Sequence, residues 1–257
     1  MIDERAIVHP TAKIADNVSI GPWSLIGPNV EIGEGTEIAS HVVVNGPTKI
    51  GKDNKFYQFA SIGEDPQDKK YQGEDTCLEI GDRNTFRECC TINRGTGVGG
   101  GATRIGNDNL FMAYVHVAHD CVIANHTIFS NNSGVAGHVY INDHVTLAAF
   151  AGVHQFCKVG EHSFVARHTN IVQDLPPYML AAGGYNATVY GLNVEGLKRR
   201  GFNADTLLRL RRAYKVIYRQ GLTVPEALTK LADMVDECPE VTALIDFLQQ
   251  SERGIVR

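Results

Sequence analysis

Two histidines and a carboxylate lie within five residues in Val115-His116-Val117-Ala118-His119-Asp120-Cys121. An imidazole titrates near neutrality and can take a proton from a hydroxyl. A carboxylate beside it can hold the ring in one orientation. Gly137-His138 and His154-Gln155 follow downstream. Two chemistries suit these residue types. One is acyl transfer, with a histidine base and a backbone N–H that receives the oxyanion. There the base contributes roughly 10²–10⁴ in rate and the donor roughly 10²–10³. The other is a zinc centre held by three histidines, as in a γ-type carbonic anhydrase. A non-catalytic binding scaffold is a third reading.

Groups so far apart in sequence need an element that stacks them. From Ile14 an aliphatic or aromatic residue recurs at every sixth position: Ile20, Ile26, Ile32, Ile38, Val44, Ile50, Phe56 and Ile62. Four residues after each comes a small or slim one, such as Val18, Ser24, Val30, Thr36 and Val42. The series resumes at Ile80, Phe86 and Ile92, and then runs unbroken from Ile105 to Ile171. A period of six is neither helical nor a simple alternation. It suits short strands wound as a coil, with the large residue inward and the small one filling a narrow interior.

Two dozen matches of this kind resemble the hexapeptide-repeat, left-handed parallel β-helix proteins. The resemblance implies three hexads per triangular coil, so that residues 18 apart stack. Gly137 then lies one coil above His119, and His138 one above Asp120. His154 and Gln155 fall one coil further on. With adjacent coils about 4.8 Å apart, these residues and His116 form one cluster on neighbouring coils. His116 precedes an inward position and points outward. Contact between His119 and Asp120, which are neighbours in sequence, requires the geometry of a coil corner.

The two interruptions read as loops leaving the prism. Glu64–Tyr71 is charged and carries a proline, which suits an exposed excursion near 64–77, either a plain solvated loop or one that borders the site. Gly95–Gly100, within an excursion near 95–103, formally matches GxGxxG. It lacks a following helix pattern and the Lys-Ser/Thr of a phosphate loop, so it is read as a flexible loop. Asp174-Leu175-Pro176-Pro177 is expected to end the repeat, because two prolines cannot continue a strand ladder. Helical signals follow. Asn203 or Asp205 can cap a helix with Leu207, Leu210, Tyr214 and Ile217 on one face. Thr223-Val224-Pro225-Glu226 is a capping box, and Pro239 opens another helix. The expected organisation is mainly β: a left-handed parallel β-helix over 1–178, then a linker and a small C-terminal α-helical domain over 179–257.

Net charge is −5 over 257 residues, with 43% hydrophobic residues, which favours a packed core and gives no general pull toward nucleic acid. The N-terminus is charged where an export signal would be apolar, and no stretch suits stable membrane insertion. A cytoplasmic protein with six reduced cysteines is expected. One region departs from the acidic balance. Residues 193–222 hold eight basic side chains against two acidic ones, either a solvated helix face or a patch suited to an acidic protein or a diphosphate.

Several segments narrow the resemblance. They are His41–Gly46, Tyr57–Glu64, Gln67–Tyr71, the central His116–Cys121, Ala136-Gly137-His138, Val153–Cys157, Asp174–Tyr178 and Asn193–Phe202. Together they resemble the UDP-N-acetylglucosamine 3-O-acyltransferase family of lipid A synthesis, over essentially the whole chain. The resemblance implies a homotrimer with active sites between subunits. It also implies transfer of an (R)-3-hydroxyacyl group from acyl carrier protein to UDP-N-acetylglucosamine, without metal or other cofactor. On that resemblance His119 matches the general base, Asp120 its partner and Gly137 the oxyanion donor. His116, His138, His154, Gln155, Asp68 and Lys70 match substrate contacts. Asn193, Glu195, Arg199 and Arg200 match the nucleotide-binding block. One departure is Arg167, where many family members carry a small residue along the acyl tail. It leaves the preferred acyl length open.

Overall fold

In a computed structural model describing residues 1–257, nearly every hexad forms a strand of two to four residues. The strands assemble into three sheets of nine, eight and ten strands that form the faces of a triangular prism, all parallel except for the last strand of the ten. The fold is a left-handed parallel β-helix. One face carries His116–Val117, Gly134–Val135, Gly152–Val153 and Asn170–Ile171, and is called face I here. Face II carries Val122–Ile123, Tyr140–Ile141 and Lys158–Val159. Face III carries Leu110–Phe111, Ile128–Phe129, Thr146–Leu147 and Phe164–Val165. Away from the two excursion loops pairing up to Ile171 follows the 18-residue rule on every face, with His116 beside Gly134, Val122 beside Tyr140 and Ile128 beside Thr146.

The interior explains the period. Inward large residues from Ile20 to Ile171 are buried, and so are the slim ones between them. Phe56, Phe86 and Phe111 stack with centroids 4.8 and 4.7 Å apart, nearly parallel, and Phe129 continues the column at 4.9 Å. Each such ring contributes about 1.5–3 kcal/mol by leaving water. At one corner polar side chains replace apolar ones. Asn84 N–H donates to Asn54 Oδ1 (2.9 Å), and Asn109 N–H to Asn84 Oδ1 (3.0 Å). These ladders satisfy backbone donors that the tight turns leave without strand partners.

The turns themselves place non-glycine residues in left-handed backbone, among them Tyr114 (φ 64°), Asp120 (φ 60°) and His126 (φ 57°). Glycines after the inward residue serve another purpose. A Cβ at Gly33 would lie 2.5 Å from Gly51 O on the next coil, so glycine permits the coils to approach.

The two interruptions are loops between paired strands, one joining Ser61–Glu64 to Cys77–Ile80, the other joining Thr91–Asn93 to Ala102–Ile105. The ladder does not stop at the two prolines. Met179–Ala182 adds in parallel to Phe164–Val165, and Thr188–Leu192 folds back against it. The stretch expected to be a linker is therefore a hairpin on face III. Pro176 and Pro177 sit in the turn before it, where no ladder N–H is needed.

Four helices follow: α1 (Val194–Arg199), α2 (Ala204–Tyr218), α3 (Val224–Ala232) and α4 (Val241–Gln249). Asn203 caps α2 and Thr223 with Glu226 forms the capping box of α3, as the sequence signals indicate. Leu207, Leu210, Tyr214 and Ile217 face inward. The tail returns to the prism: buried Asp174 accepts Lys158 N–H (2.8 Å) and Ser251 Oγ–H (2.7 Å), and its carbonyl accepts Val256 N–H. All six cysteines are unpaired. Burial raises the Cys90 and Cys121 thiols to about 12, so they act as small apolar fillers. No helix is long and apolar enough to cross a membrane.

Candidate active site

Face I bears a cleft of about 530 Å³ lined by His116, Ala118, His119, Gly134, Gly137, Gly152, His154 and Asn170 among others. Glycines on two successive coils, Gly134 and Gly137 on one and Gly152 on the next, leave the surface bare and open the groove. At its floor His119 Nδ1 lies 2.8 Å from Asp120 Oδ2. The corner at Asp120 turns the two neighbouring side chains toward one another, which a flat strand would forbid. The His119 side chain is 14% exposed and that of Asp120 fully buried. A carboxylate only accepts, so Nδ1 carries a proton, and in the neutral ring Nε2 is the nitrogen with the lone pair. Nε2 makes no hydrogen bond within the fold, and the ring lines the cleft. This is the arrangement of an oriented base.

Gly137 lies against that ring: a Cβ there would come 2.6 Å from His119 Cε1. Its N–H donates to no acceptor in the protein, whereas Ala136 and His138 on either side donate to Val153 O and His119 O. A free N–H beside the base is a donor for developing negative charge.

The other histidines take different positions. His116 Nδ1 is 2.7 Å from Thr91 Oγ1, and burial holds this imidazole below its usual range. His138 meets His119 edge to face at 5.2 Å and lies behind Asp120, with Nε2 3.7 Å from Oδ2. It opens on a separate hollow with Tyr140, Phe156 and Phe247. Burial lowers its pKa, against the opposing pull of Asp120; Asp68, on the excursion loop, also pulls it upward. His154 is an exposed residue at the cleft, its Nδ1 3.1 Å from Gln155 O. Gln155 and Lys70 are exposed and outside the cleft lining.

Three convergent histidines are not assembled. The group that does converge is His119, Asp120 and His138. The Asp120 oxygens are already engaged by Thr96 and His119, which ill suits a zinc ligand. Gln67 and Tyr185 also line the cleft, though neither stood out in the sequence as a site residue. Gln67 belongs to the excursion loop and Tyr185 to the tip of the hairpin, and no repeat position marks either. Arg167 is exposed at the neighbouring corner and does not line the cleft.

Asn193, Glu195, Arg199 and Arg200 gather in a second cleft of about 550 Å³ on face III, with His144 and His162. The chain does not bring this group onto face I. Asn193 caps α1 and donates to His162 O (2.9 Å), which fixes the block against the prism. His126, His144 and His162 stack at 4.8 and 4.6 Å. Burial, helped by His144 and Arg200, lowers His162 to about 4.

This has a pH consequence. The folded ring stays neutral while the unfolded chain takes a proton near the ordinary value of about 6.5. The unfolded state binds more protons below that value, so stability falls as pH drops from 6.5 toward 4 and levels off below. Thermal melts across that window should show the decline. His162→Phe, which keeps the stack and cannot protonate, should flatten it; an unchanged slope would assign the acid sensitivity elsewhere.

Comparison with known proteins follows the same division of the chain. A family model for bacterial transferase hexapeptides (six repeats) matches residues 11–46 and 102–137, and one for domain 2 of UDP N-acetylglucosamine O-acyltransferases matches 174–256. A protein of Thiobacillus denitrificans called acyl-[acyl-carrier-protein]--UDP-N-acetylglucosamine O-acyltransferase is 54% identical, the match covering 100% of this chain and 99% of the relative. The chain belongs to the UDP-N-acetylglucosamine O-acyltransferase family.

A relative of the same name from Stutzerimonas stutzeri is 52% identical over 100% of this chain and 99% of its own. The crystal structure of UDP-N-acetylglucosamine O-acyltransferase from Moraxella catarrhalis superposes with a TM-score of 0.97 at 48% identity, covering 100% of this chain and 99% of that one. The family's fold thus extends through the C-terminal helices as well as the prism.

Proposed function

We propose that this protein transfers an (R)-3-hydroxyacyl group from acyl carrier protein to the 3-hydroxyl of UDP-N-acetylglucosamine, the first step of lipid A biosynthesis, in the cytoplasm. The observation that carries the mechanism is the His119–Asp120 pair, its free nitrogen facing a cleft beside an unpartnered Gly137 N–H. His119 Nε2 takes the proton of the sugar hydroxyl as its oxygen attacks the thioester carbonyl. The carbonyl oxygen, now negative, is met by Gly137 N–H. Collapse breaks the C–S bond, and the imidazolium returns its proton to the departing thiolate. Asp120 holds the ring and stabilises its charged state.

The nucleotide half of the substrate goes to Asn193, Glu195, Arg199 and Arg200. These stand on face III while the base stands on face I, so one chain offers two half-sites. A homotrimer that sets face III of one copy against face I of the next completes the site: His116 and His154 line the cleft of the single chain, and His138, Gln155, Asp68 and Lys70, outside that lining, join them around the sugar nucleotide in the assembly. The acidic carrier docks on α2. Arg209 is tied to Asp205 and Glu237, but Arg211, Arg212 and Lys215 are exposed and make no ion pair, which suits a negative surface.

The test is transfer from a series of 3-hydroxyacyl carrier proteins of graded length to UDP-N-acetylglucosamine. Transfer on one or two lengths supports the reading and reports the acyl preference left open by Arg167. A folded protein that binds the nucleotide but transfers nothing with any donor overturns it.

A further inference from the structure

The second excursion loop closes over the dyad from the side opposite the cleft. Thr96 N–H donates to Asp120 Oδ1 at 2.8 Å, and Thr96 Oγ–H donates to Asp120 Oδ2 at 2.6 Å. The Thr96 hydroxyl accepts Gly99 N–H at 3.1 Å, which directs its proton to the carboxylate. On the far side of the loop Thr103 Oγ accepts the N–H of Asp120 itself at 2.8 Å. The loop backbone passes so near that a Cβ at Gly99 would fall 2.0 Å from Asp120 Cγ.

We propose that Thr96 is a positioning residue for catalysis: the Gly95–Gly101 loop holds Asp120 buried and oriented so that Oδ2 fixes the proton of His119 on Nδ1. The proposal rests on the reading of His119 and Asp120 as the base and its partner. Three points carry it. A buried carboxylate without a Lys or Arg partner needs hydrogen-bond donors, and Thr96 supplies two of the three that Asp120 receives. Without them the side chain has no reason to remain inside. At the same corner of the next two coils the side chains of His138 and Phe156 reach solvent, Phe156 at 49% exposure. Thr96 also sets the rotation of the carboxyl group, because it engages both oxygens and leaves one direction at Oδ2 for the imidazole. The glycine-rich run is thus neither a free loop nor a phosphate cradle. Its glycines allow the backbone to wrap a side chain closely.

The test uses Thr96→Val, which keeps shape and loses the hydroxyl, beside Thr96→Ser, which keeps the hydroxyl. These are measured in the native and Asp120→Asn backgrounds, with His119→Ala as reference. Thr96→Val should lower kcat by about ten- to a hundredfold, the size of losing one hydrogen bond to a charged group. KM for both substrates should change little, the melting temperature should fall by only a few degrees as the buried carboxylate loses one donor, and serine should restore most of kcat and of the melt. With Asp120→Asn the valine change should cost almost nothing further, since the carboxylate it serves is gone. Histidine NMR should show the Nδ1–H signal of His119 weakened in the valine variant, independently of turnover. Native kcat in Thr96→Val, or an equal loss in both backgrounds, overturns the proposal and leaves the base intact. Full activity in His119→Ala overturns the dyad, and the proposal with it.

Discussion

His119→Ala should lower kcat by roughly 10²–10⁴ while the protein melts at its native temperature. The size follows from losing the group that accepts the hydroxyl proton in the transition state. The unchanged melt follows from the side chain's place. It stands on face I, outside the column of Val117, Val135 and Val153 that fills the prism. No neighbour is placed to substitute. His116 has its Nδ1 beside Thr91 and is held low by burial. His138 lies behind the carboxylate, and His154 has no acidic partner. Steady-state rates with both substrates saturating, beside a thermal melt, check this. A folded variant with native kcat would move the base elsewhere and remove the geometric argument for acyl transfer on this face.

Gly137→Ala should lower kcat by about a hundredfold, because a displacement near 1 Å at a catalytic group costs about that much. Its added methyl would lie 2.6, 2.8 and 3.2 Å from the Cε1, Nε2 and Nδ1 atoms of His119. Ring and methyl cannot share that space, so the imidazole must swing away from its line to Asp120, or the coil must open. At Gly134, on the same face, the nearest atom to such a methyl is 3.6 Å away, an ordinary contact. The steric demand is therefore particular to the glycine over the base. Nucleotide affinity should hold, because the residues assigned to it stand on face III. Measured kcat and nucleotide binding together decide the matter: weak binding with native kcat would place Gly137 in recognition instead of in the chemistry.

Much of this was legible before any fold was in view, for a local reason. Each hexad must put one large apolar residue inside and one slim residue beside it, so the period survives in the letters from Ile14 to Ile171. Stacking at 18 residues then places Gly137 over His119 by counting alone, and the structure has Gly137 against that imidazole. Caps are similarly local: Asn203 and Thr223 bond to residues three positions on. The hairpin over 179–192 is not legible in the sequence, because Pro176 and Pro177 just before it read as terminators until their place in a turn is known. Arg209 counted as part of a basic patch, yet Glu237 from beyond α3 neutralises it.

By itself the sequence determined the coil, its inward column, the corner that carries His119 and Asp120, and the capped helices that follow. All of these depend on residues at short, regular separations. Only the tertiary structure decided what surrounds Asp120, where Gln67 and Tyr185 come to the cleft, and that the block at Asn193–Arg200 occupies another face from the base. Those contacts join aperiodic loops to the prism across 24 residues for Thr96 and Asp120, and further for the others. Nothing in a repeat constrains where such a loop folds back. Its place is settled by which buried polar groups need partners once the coil has formed.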